Sequence, residues 1–415
     1  MPETMNDKDV TKRTMTPIEI ALPALMNDLS LINEEESLPL LSATGRVLAE
    51  NLTASIDVPP YDNSAMDGYA INSADLAADK MSLEVAQRIP AGEVGSKLGA
   101  GQAARIFTGA PIPVGADAVV MQENCEKLEN AVHILQAVKP GANIRQAGED
   151  IKAGSTLLSS GHRLVTQDVG ILASVGLTAV KVKRKLKIAL MTTGNELVQP
   201  GTKLAPGQIY NSNFFSIAAL LQNLGAQIFD VGVVADDLES TQKALQEAAS
   251  NADCIISTGG VSVGEEDYVK AAVENLGQLK LWKLAIKPGK PLACGEIANT
   301  PFFGLPGNPV SAFVTFCLVV RPCLLTMLGC NAVEPKQYCV VAAFDFPATG
   351  VRQEYLRVSL SRNEQGETAA SPYSNQSSGV NSSLSGADGL AIIPPHTPVS
   401  MGDKLVFVPF SELIN

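Results

Sequence analysis

The stretch Asp253–Lys270, DCIISTGGVSVGEEDYVK, constrains the fold more than any other part of the chain. A β-branched apolar run (Cys254–Ile256) passes through Ser257-Thr258-Gly259-Gly260 into a segment of helical composition whose start carries Asp267. The order strand, glycine turn, helix is that of an open α/β sheet. Ligands sit beyond the carboxyl ends of such strands, because backbone N–H groups there lack partners and the helix dipole favours anions. Glycines admit a phosphate close to the backbone, Ser257, Thr258 and Ser262 can donate to it, and Asp267 can hold a metal against it. An ordinary turn whose acids decorate a helix start would need no ligand, so this stretch alone leaves both readings open.

The same alternation runs through residues 186–330 and predicts a doubly wound, mostly parallel sheet. Lys187–Met191 reads as a strand leading to Thr192-Thr193-Gly194-Asn195-Glu196, and Gln227–Val234 as another ending at Asp236. Asn213–Leu224 and Leu238–Ala249 read as helices. Leu279–Ile286 leads into Lys287-Pro288-Gly289-Lys290-Pro291, and Pro301–Leu305 into Pro306-Gly307-Asn308-Pro309. Acids and lysines therefore recur in one phase, Glu196, Asp236 and Asp267 followed by Lys287 and Lys290. In a parallel sheet they share one edge. Three carboxylates facing lysines suit a divalent metal and an oxygen-rich anion, with chemistry at a phosphate or phosphoanhydride. The Walker A pattern is absent and GGVSVG is not GxGxxG, which weakens ATPase and dinucleotide readings.

Before this unit, Thr16–Leu29 and Pro39–Ala49 read as short helices, and Thr166–Ser174 as a helix followed by a Thr178–Lys183 strand. The basic run Lys181, Lys183, Arg184, Lys185, Lys187 is expected to be a solvated strand edge and linker. Residues 71–149 carry short glycine- and proline-punctuated β runs. After Pro309, Val310–Leu328 approaches membrane-span length, but Arg321-Pro322, Ser311 and Thr315 within it favour a buried core helix. From Glu334 onward, short alternating strands predict a small β-barrel or sandwich.

With a formal net charge of −12, broad contact with nucleic acid or an anionic membrane is not expected. The polar N-terminus shows no apolar signal segment, so a cytoplasmic location is expected. Seven cysteines, mostly in apolar runs (Cys254, Cys294, Cys317, Cys323, Cys339) and without CxxC spacing, read as buried thiols. Three scattered histidines make a zinc site or a histidine triad a poor fit.

Seven motifs in this order, PPYDNSAMDGYA, RIFTGAPIPVGADAVVMQE, IRQAGEDI, TTGNELV, STGGVSVGEEDYV, KLAIKPGKP and FGLPGNPVSAF, resemble the molybdopterin molybdenumtransferase family, which includes the E domain of gephyrin-like proteins. The resemblance runs from about Thr16 to the C-terminus. It implies an elongated N-terminal domain (1–56 with 151–185), an inserted β-rich domain (57–150), an α/β molybdopterin-binding domain (186–332) and a C-terminal β-barrel (333–415). It also implies insertion of molybdate into adenylylated molybdopterin with Mg²⁺, releasing AMP, by a homodimer with shared sites. Molybdopterin adenylyltransferase and other cofactor-pathway proteins would be its partners.

On the matching positions, Asp236 and Asp267 would hold Mg²⁺ or position water with Glu196 assisting. Ser262 and Gly259-Gly260 would contact the pterin phosphate, and Lys283 would help neutralise the ligand. Lys287, Lys290 and Pro291, with Ser311, Arg357 and Ser378, would serve molybdate. Pro306 and Asn308 would line the substrate site. Asp62, Thr108, Arg145 and Asp150 would act across the dimer interface. The family commonly carries Asp where this chain has Asn195. A cofactor carrier without turnover, or a Mg²⁺-dependent nucleotide phosphohydrolase, are the alternatives.

Overall fold

The computed structural model describes residues 15–76, 81–260 and 268–414. Ser262 and Asp267 fall outside them, so their predicted roles have no structural counterpart here.

The largest layer is a six-stranded sheet in the order Gln227–Val234, Lys187–Thr193, Cys254–Thr258, Thr300–Leu305, Pro291–Ile297, Gly277–Lys283. The first four strands are mutually parallel and the last two pairings are antiparallel. The sheet is mostly parallel, as expected, with one reversed strand. Pro291–Ile297, unassigned from sequence, runs back against the rest. Two reversals restore direction, so Gly277–Lys283 points the same way as the parallel strands and Lys283 lies opposite Pro291.

The central strands are apolar throughout because both their faces are covered. On one side Ile188, Leu190 and Ile256 pack with Ile217, Leu221, Val314 and Phe316; on the other Ala189, Met191 and Ile255 pack with Leu245, Ala248 and Val273. Helices Ser212–Asn223 and Leu238–Asn251 start where a side chain takes up an orphan N–H. Asn211 Oδ1 accepts from Phe214 N at 3.2 Å, and Asp237 Oδ1 from Ser240 N at 2.8 Å. The apolar stretch Pro309–Met327 is helical with a π turn at Phe316–Val320. It is long and apolar enough to cross a membrane, yet 83% of its apolar window is buried within the protein.

Residues on either side of the inserted stretch pair with each other, Glu35–Pro39 with Ala179–Lys183 and Leu52-Thr53 with Thr156–Leu158. Pro39–Ala49 is thus not the helix its spacing suggests. Pro39 ends a strand, and a single 3₁₀ turn, Leu40–Ser42, follows. The inserted stretch forms its own six-stranded sheet, ordered Ala118–Met121, Gly68–Ile71, Gln102–Ile106, Ser82–Ile89, Ala131–Ile134, Cys125–Lys127. The C-terminal residues form a third six-stranded sheet. It curls on itself because Gln353–Arg362 pairs with Thr368–Pro372, Gly389–Ile393 and the short Ile286-Lys287 strand.

Two further expectations are corrected. The basic run is not simply solvated: Lys181 pairs with Glu50, Lys183 with Glu35, and Arg184 forks onto both oxygens of Asp253 at 2.6 and 2.8 Å. Cys254, Cys294, Cys317 and Cys323 are buried free thiols, but Cys339 is exposed, because along its strand the inward position belongs to Val340.

Asp253 also accepts from Lys187 N at 2.8 Å. Burial pushes its carboxyl up, but the Arg184 hydrogen bonds and the Lys187 N–H outweigh that and hold it below the usual carboxylate range. The stability from this pair is complete above the ordinary carboxylate pKa of about 4 and is lost as pH falls through Asp253's own lower value. Asp253→Asn is expected to cost about 2 kcal/mol in urea unfolding at pH 7 and much less near pH 3. An equal cost at both pH values would show that the ion pair contributes little.

Candidate functional site

The parallel register brings strand ends to one edge. Thr193 lies beside Val234, and Thr192 and Leu305 both lie beside Thr258. The segments that follow, Gly194-Asn195-Glu196, Ala235-Asp236, Gly259-Gly260 and Pro306-Gly307-Asn308, therefore converge. Hydrogen bonds tie them together. Asn195 N donates to Asp236 Oδ2 at 3.0 Å while Asp236 N donates to Asn195 Oδ1 at 3.3 Å. Gly259 N donates to Leu305 O at 3.2 Å, and Asn213 Nδ2 to Gly307 O at 2.7 Å. Asn195 thus serves as an acceptor for Asp236 N, a task its amide oxygen performs without charge.

The turn demands glycine. Gly259 and Gly260 have φ of +88° and +63°; a Cβ on Gly259 would lie 2.8 Å from Thr193 O, and one on Gly260 2.5 Å from Val269 Cγ2. Under this edge lie buried hydroxyls without a hydrogen-bond partner, Thr193 Oγ1, Ser257 Oγ and Thr315 Oγ1. Leaving a buried polar group unmade costs about 1–3 kcal/mol, so such orphans mark a place where a bound group or water completes the structure.

The lysines sit on a loop closed by a Leu284 N to Lys290 O bond of 2.9 Å, with Lys283 and Pro291 at its base. Lys283, Lys287 and Lys290 are all exposed. The loop packs down at Gly289, where a Cβ would meet the orphan Thr315 Oγ1 at 2.5 Å. Ser311 is buried one residue into the helix after Pro309-Val310, and Val310 N donates to Ser378 O at 3.0 Å, joining the C-terminal sheet to this edge.

Beside the loop lies a cavity of about 320 Å³ lined by Lys287, Phe346, Glu354, Tyr355, Arg357 and Gln376 among others. Lys287 Nζ is 3.1 Å from Glu354 Oε2. Arg357 is 1% exposed and donates to Ser383 Oγ at 3.1 Å and Ser377 O at 3.2 Å. Its ion-pair partner among the described residues is nil, and burial lowers its pKa. A buried cation without a counter-charge is an anion site in waiting.

The other predicted residues form a separate group in the inserted module. Strand pairing sets Arg145 opposite Asn63, Asp62 Oδ1 accepts from Ala147 N at 2.8 Å, and Asp150 N donates to Val58 O at 3.0 Å. Asp62, Thr108, Arg145 and Asp150 are exposed. Thr108 donates through both N and Oγ1 to Asp67 Oδ1 at 2.8 Å, and these bonds hold the Asp67 carboxyl below its usual range. Among the described residues, no hydrogen bond links this group to the sheet edge.

Residues 16–176 match the family described as the MoeA N-terminal region (domain I and II), residues 189–326 the probable molybdopterin binding domain, and residues 340–410 the MoeA C-terminal region (domain IV). The chain is 38% identical over 408 residues to the molybdopterin molybdenumtransferase of Haemophilus influenzae, spanning 96% of this chain and 100% of that one. The chain belongs to the molybdopterin molybdenumtransferase family. A molybdopterin molybdenumtransferase of Bacillus subtilis is 35% identical, with 93% and 92% of the two chains covered. The crystal structure of the molybdopterin biosynthesis moeA protein of Pyrococcus horikoshii OT3 superposes with a TM-score of 0.82 at 30% identity, covering 95% of this chain and 100% of that one.

Within this family fold, the structure gathers Glu196, Asp236, Gly259, Gly260, Lys283, Lys287, Lys290, Pro291, Pro306, Asn308 and Ser311 at one edge, with Ser378 and Arg357 adjoining. Sequence reasoning gives no site role to Thr193, Thr315, Glu354 or Asp67. Thr193, at a strand end in the phase of the other site residues, was the one of these with a readable signal.

Proposed function

We propose that the chain inserts molybdate into adenylylated molybdopterin, releasing AMP and forming the molybdenum cofactor, in a Mg²⁺-dependent step whose site is shared between two copies of the chain. The observation that carries this reading is the sheet edge itself, where a glycine turn over orphan hydroxyls has carboxylates on one side and, on the other, a lysine loop with an arginine that has no ion-pair partner among the described residues.

The Gly260 N–H and the Thr193 hydroxyl bind the pterin phosphate, assisted by Ser262. Asp236 and Glu196 offer hard oxygen donors of the kind Mg²⁺ takes alongside phosphate oxygens, and Asp267 supplies a third. No cluster of three such acids occurs among the described residues, so the metal depends on substrate oxygens and on Asp267. Bound Mg²⁺ would neutralise the pyrophosphate whose cleavage frees AMP. Lys283 offsets the remaining negative charge, and Lys287 and Lys290 with Arg357 receive molybdate, whose oxygens match a guanidinium fork. Asp62, Thr108, Arg145 and Asp150 of a second copy close the site.

Purified protein with adenylylated molybdopterin, Mg²⁺ and molybdate should release AMP and reconstitute an apo-molybdoenzyme, both dependent on molybdate. AMP release indifferent to molybdate would indicate a phosphohydrolase, and tight pterin binding without turnover a carrier. Lys290→Ala is expected to raise the molybdate concentration for half-maximal rate about tenfold with a smaller effect on pterin binding, the loss of one charge-assisted contact. Unchanged molybdate saturation would place the anion elsewhere.

A further inference from the structure

The inserted sheet carries a second basic cleft, away from the edge just described. In its register Tyr69 lies opposite Arg105, and Arg105 lies beside Arg88 on the parallel neighbour, so one aromatic and two arginines line up across three strands. Phe107 follows two residues after Arg105. The Arg88 and Arg105 guanidinium carbons are 4.5 and 4.6 Å from the Phe107 ring centroid, and Arg105 is 5.3 Å from that of Tyr69. Arg105 is further fixed by bonds to Gly68 O at 2.9 Å and Gln122 Oε1 at 2.7 Å. Among the described residues neither arginine forms an ion pair, and the Arg88 guanidinium forms no hydrogen bond.

Tyr69, Arg88 and Arg105 line an open cleft of about 660 Å³ together with Lys127 and a single carboxylate, Glu129. That volume suits a small organic ligand. In a chain with a net charge of −12, two guanidinium groups and Lys127 against the single lining carboxylate of Glu129 form a local excess of positive charge, which the nearby Asp67 only partly offsets at Arg105. The arrangement is pre-organised. Tyr69 and Phe107 hold the arginine planes by cation–π contact, which leaves N–H groups of Arg88 and Arg105 for a ligand. Guanidinium forks match phosphate oxygens, and their planes stack on flat rings.

We propose that this cleft binds a phosphate-bearing flat heterocycle, a chemistry common to nucleoside monophosphates and pterin phosphates. Arg88 and Arg105 take the phosphate, Lys127 adds long-range attraction, and the ring stacks on the exposed Arg88 plane. This inference uses only the inserted module and stands independently of the reaction proposed above.

Hydrogen–deuterium exchange of the full chain tests it, with AMP, a pterin monophosphate and adenosine added separately. At least one of the two phosphates should slow exchange in peptides covering 82–89, 102–107 and 122–131, and adenosine should not. Protection by one phosphate only identifies the source. Arg88→Ala removes an exposed side chain, so the fold is retained; it should abolish that protection and weaken the cleft's affinity about tenfold or more, while protection at the sheet edge persists. Arg88→Lys, which keeps the charge but not the fork, should fall between. The proposal is overturned if neither phosphate protects these segments, if adenosine protects as well as AMP, or if Arg88→Ala behaves as the native chain.

Discussion

Asp236→Asn is expected to lower the rate of AMP release by about 10²–10³-fold, the scale seen when one preorganised electrostatic group is removed from a reaction centre. The substitution isolates charge from structure. Asp236 accepts the Asn195 N–H and its own N–H is taken by Asn195 Oδ1; an asparagine side chain still offers an oxygen to the first, and the second does not involve the side chain. The turn pairing should survive and thermal stability should change little. What is lost is one of the two described carboxylates at the edge, so more Mg²⁺ should be needed for half-maximal rate. Normal turnover with an unaltered Mg²⁺ requirement would exclude Asp236 from the metal's surroundings. If the variant unfolds at lower temperature instead, the charge serves the turn rather than the reaction. Asp267→Asn should behave alike if both acids hold the same ion.

The phase of these acids was legible in sequence because apolar strand runs alternating with amphipathic helices have a simple local signature. Gln227–Val234 and Thr166–Ser174 coincide with the structure, the first bounded by polar groups and the second closed near Gly176. Reading failed where pairing partners, rather than local pattern, decide conformation. Pro39–Ala49 has helical spacing, but Glu35–Pro39 is claimed by Ala179–Lys183 and Leu48 bridges to Val182. Pro291–Ile297 was missed because its glycine and proline content disguises a strand that exists by pairing on both sides. Its reversal happens to return Lys283 to the site edge. Thr315 and Glu354 carry no local site signal for a similar reason: one matters because Gly289 packs on it, the other because the short Ile286-Lys287 strand pairs with its strand and sets Lys287 beside it. Arg357 was assigned through family resemblance alone, and nothing in its local pattern announces a buried cation.

That cation leads to the last expectation, that molybdate raises the melting temperature of the native chain and leaves that of Arg357→Met unmoved. Two terms oppose each other at Arg357. Its guanidinium satisfies Ser383 Oγ and the Ser377 carbonyl, yet a charge taken out of water with no carboxylate partner among the described residues is costly. Methionine, of similar length, removes both terms. Ser383 Oγ keeps its bond to Val380 O at 2.6 Å and the carbonyl can turn to water, so the anion-free variant should lie within about 2 kcal/mol of native, in either direction. The ligand-dependent part has a definite sign. An anion that binds only the folded state stabilises it by about 2.7 kcal/mol at one hundred times its Kd. The oxyanion gives Arg357 a counter-charge that no described residue supplies, and the neighbouring Lys287 has N–H groups beyond its contact with Glu354 with which to engage it. Removing Arg357 should therefore abolish the shift, whereas Arg357→Lys should keep part of it, a point charge replacing a fork. A shift of native size in Arg357→Met would mean that molybdate binds outside this cavity.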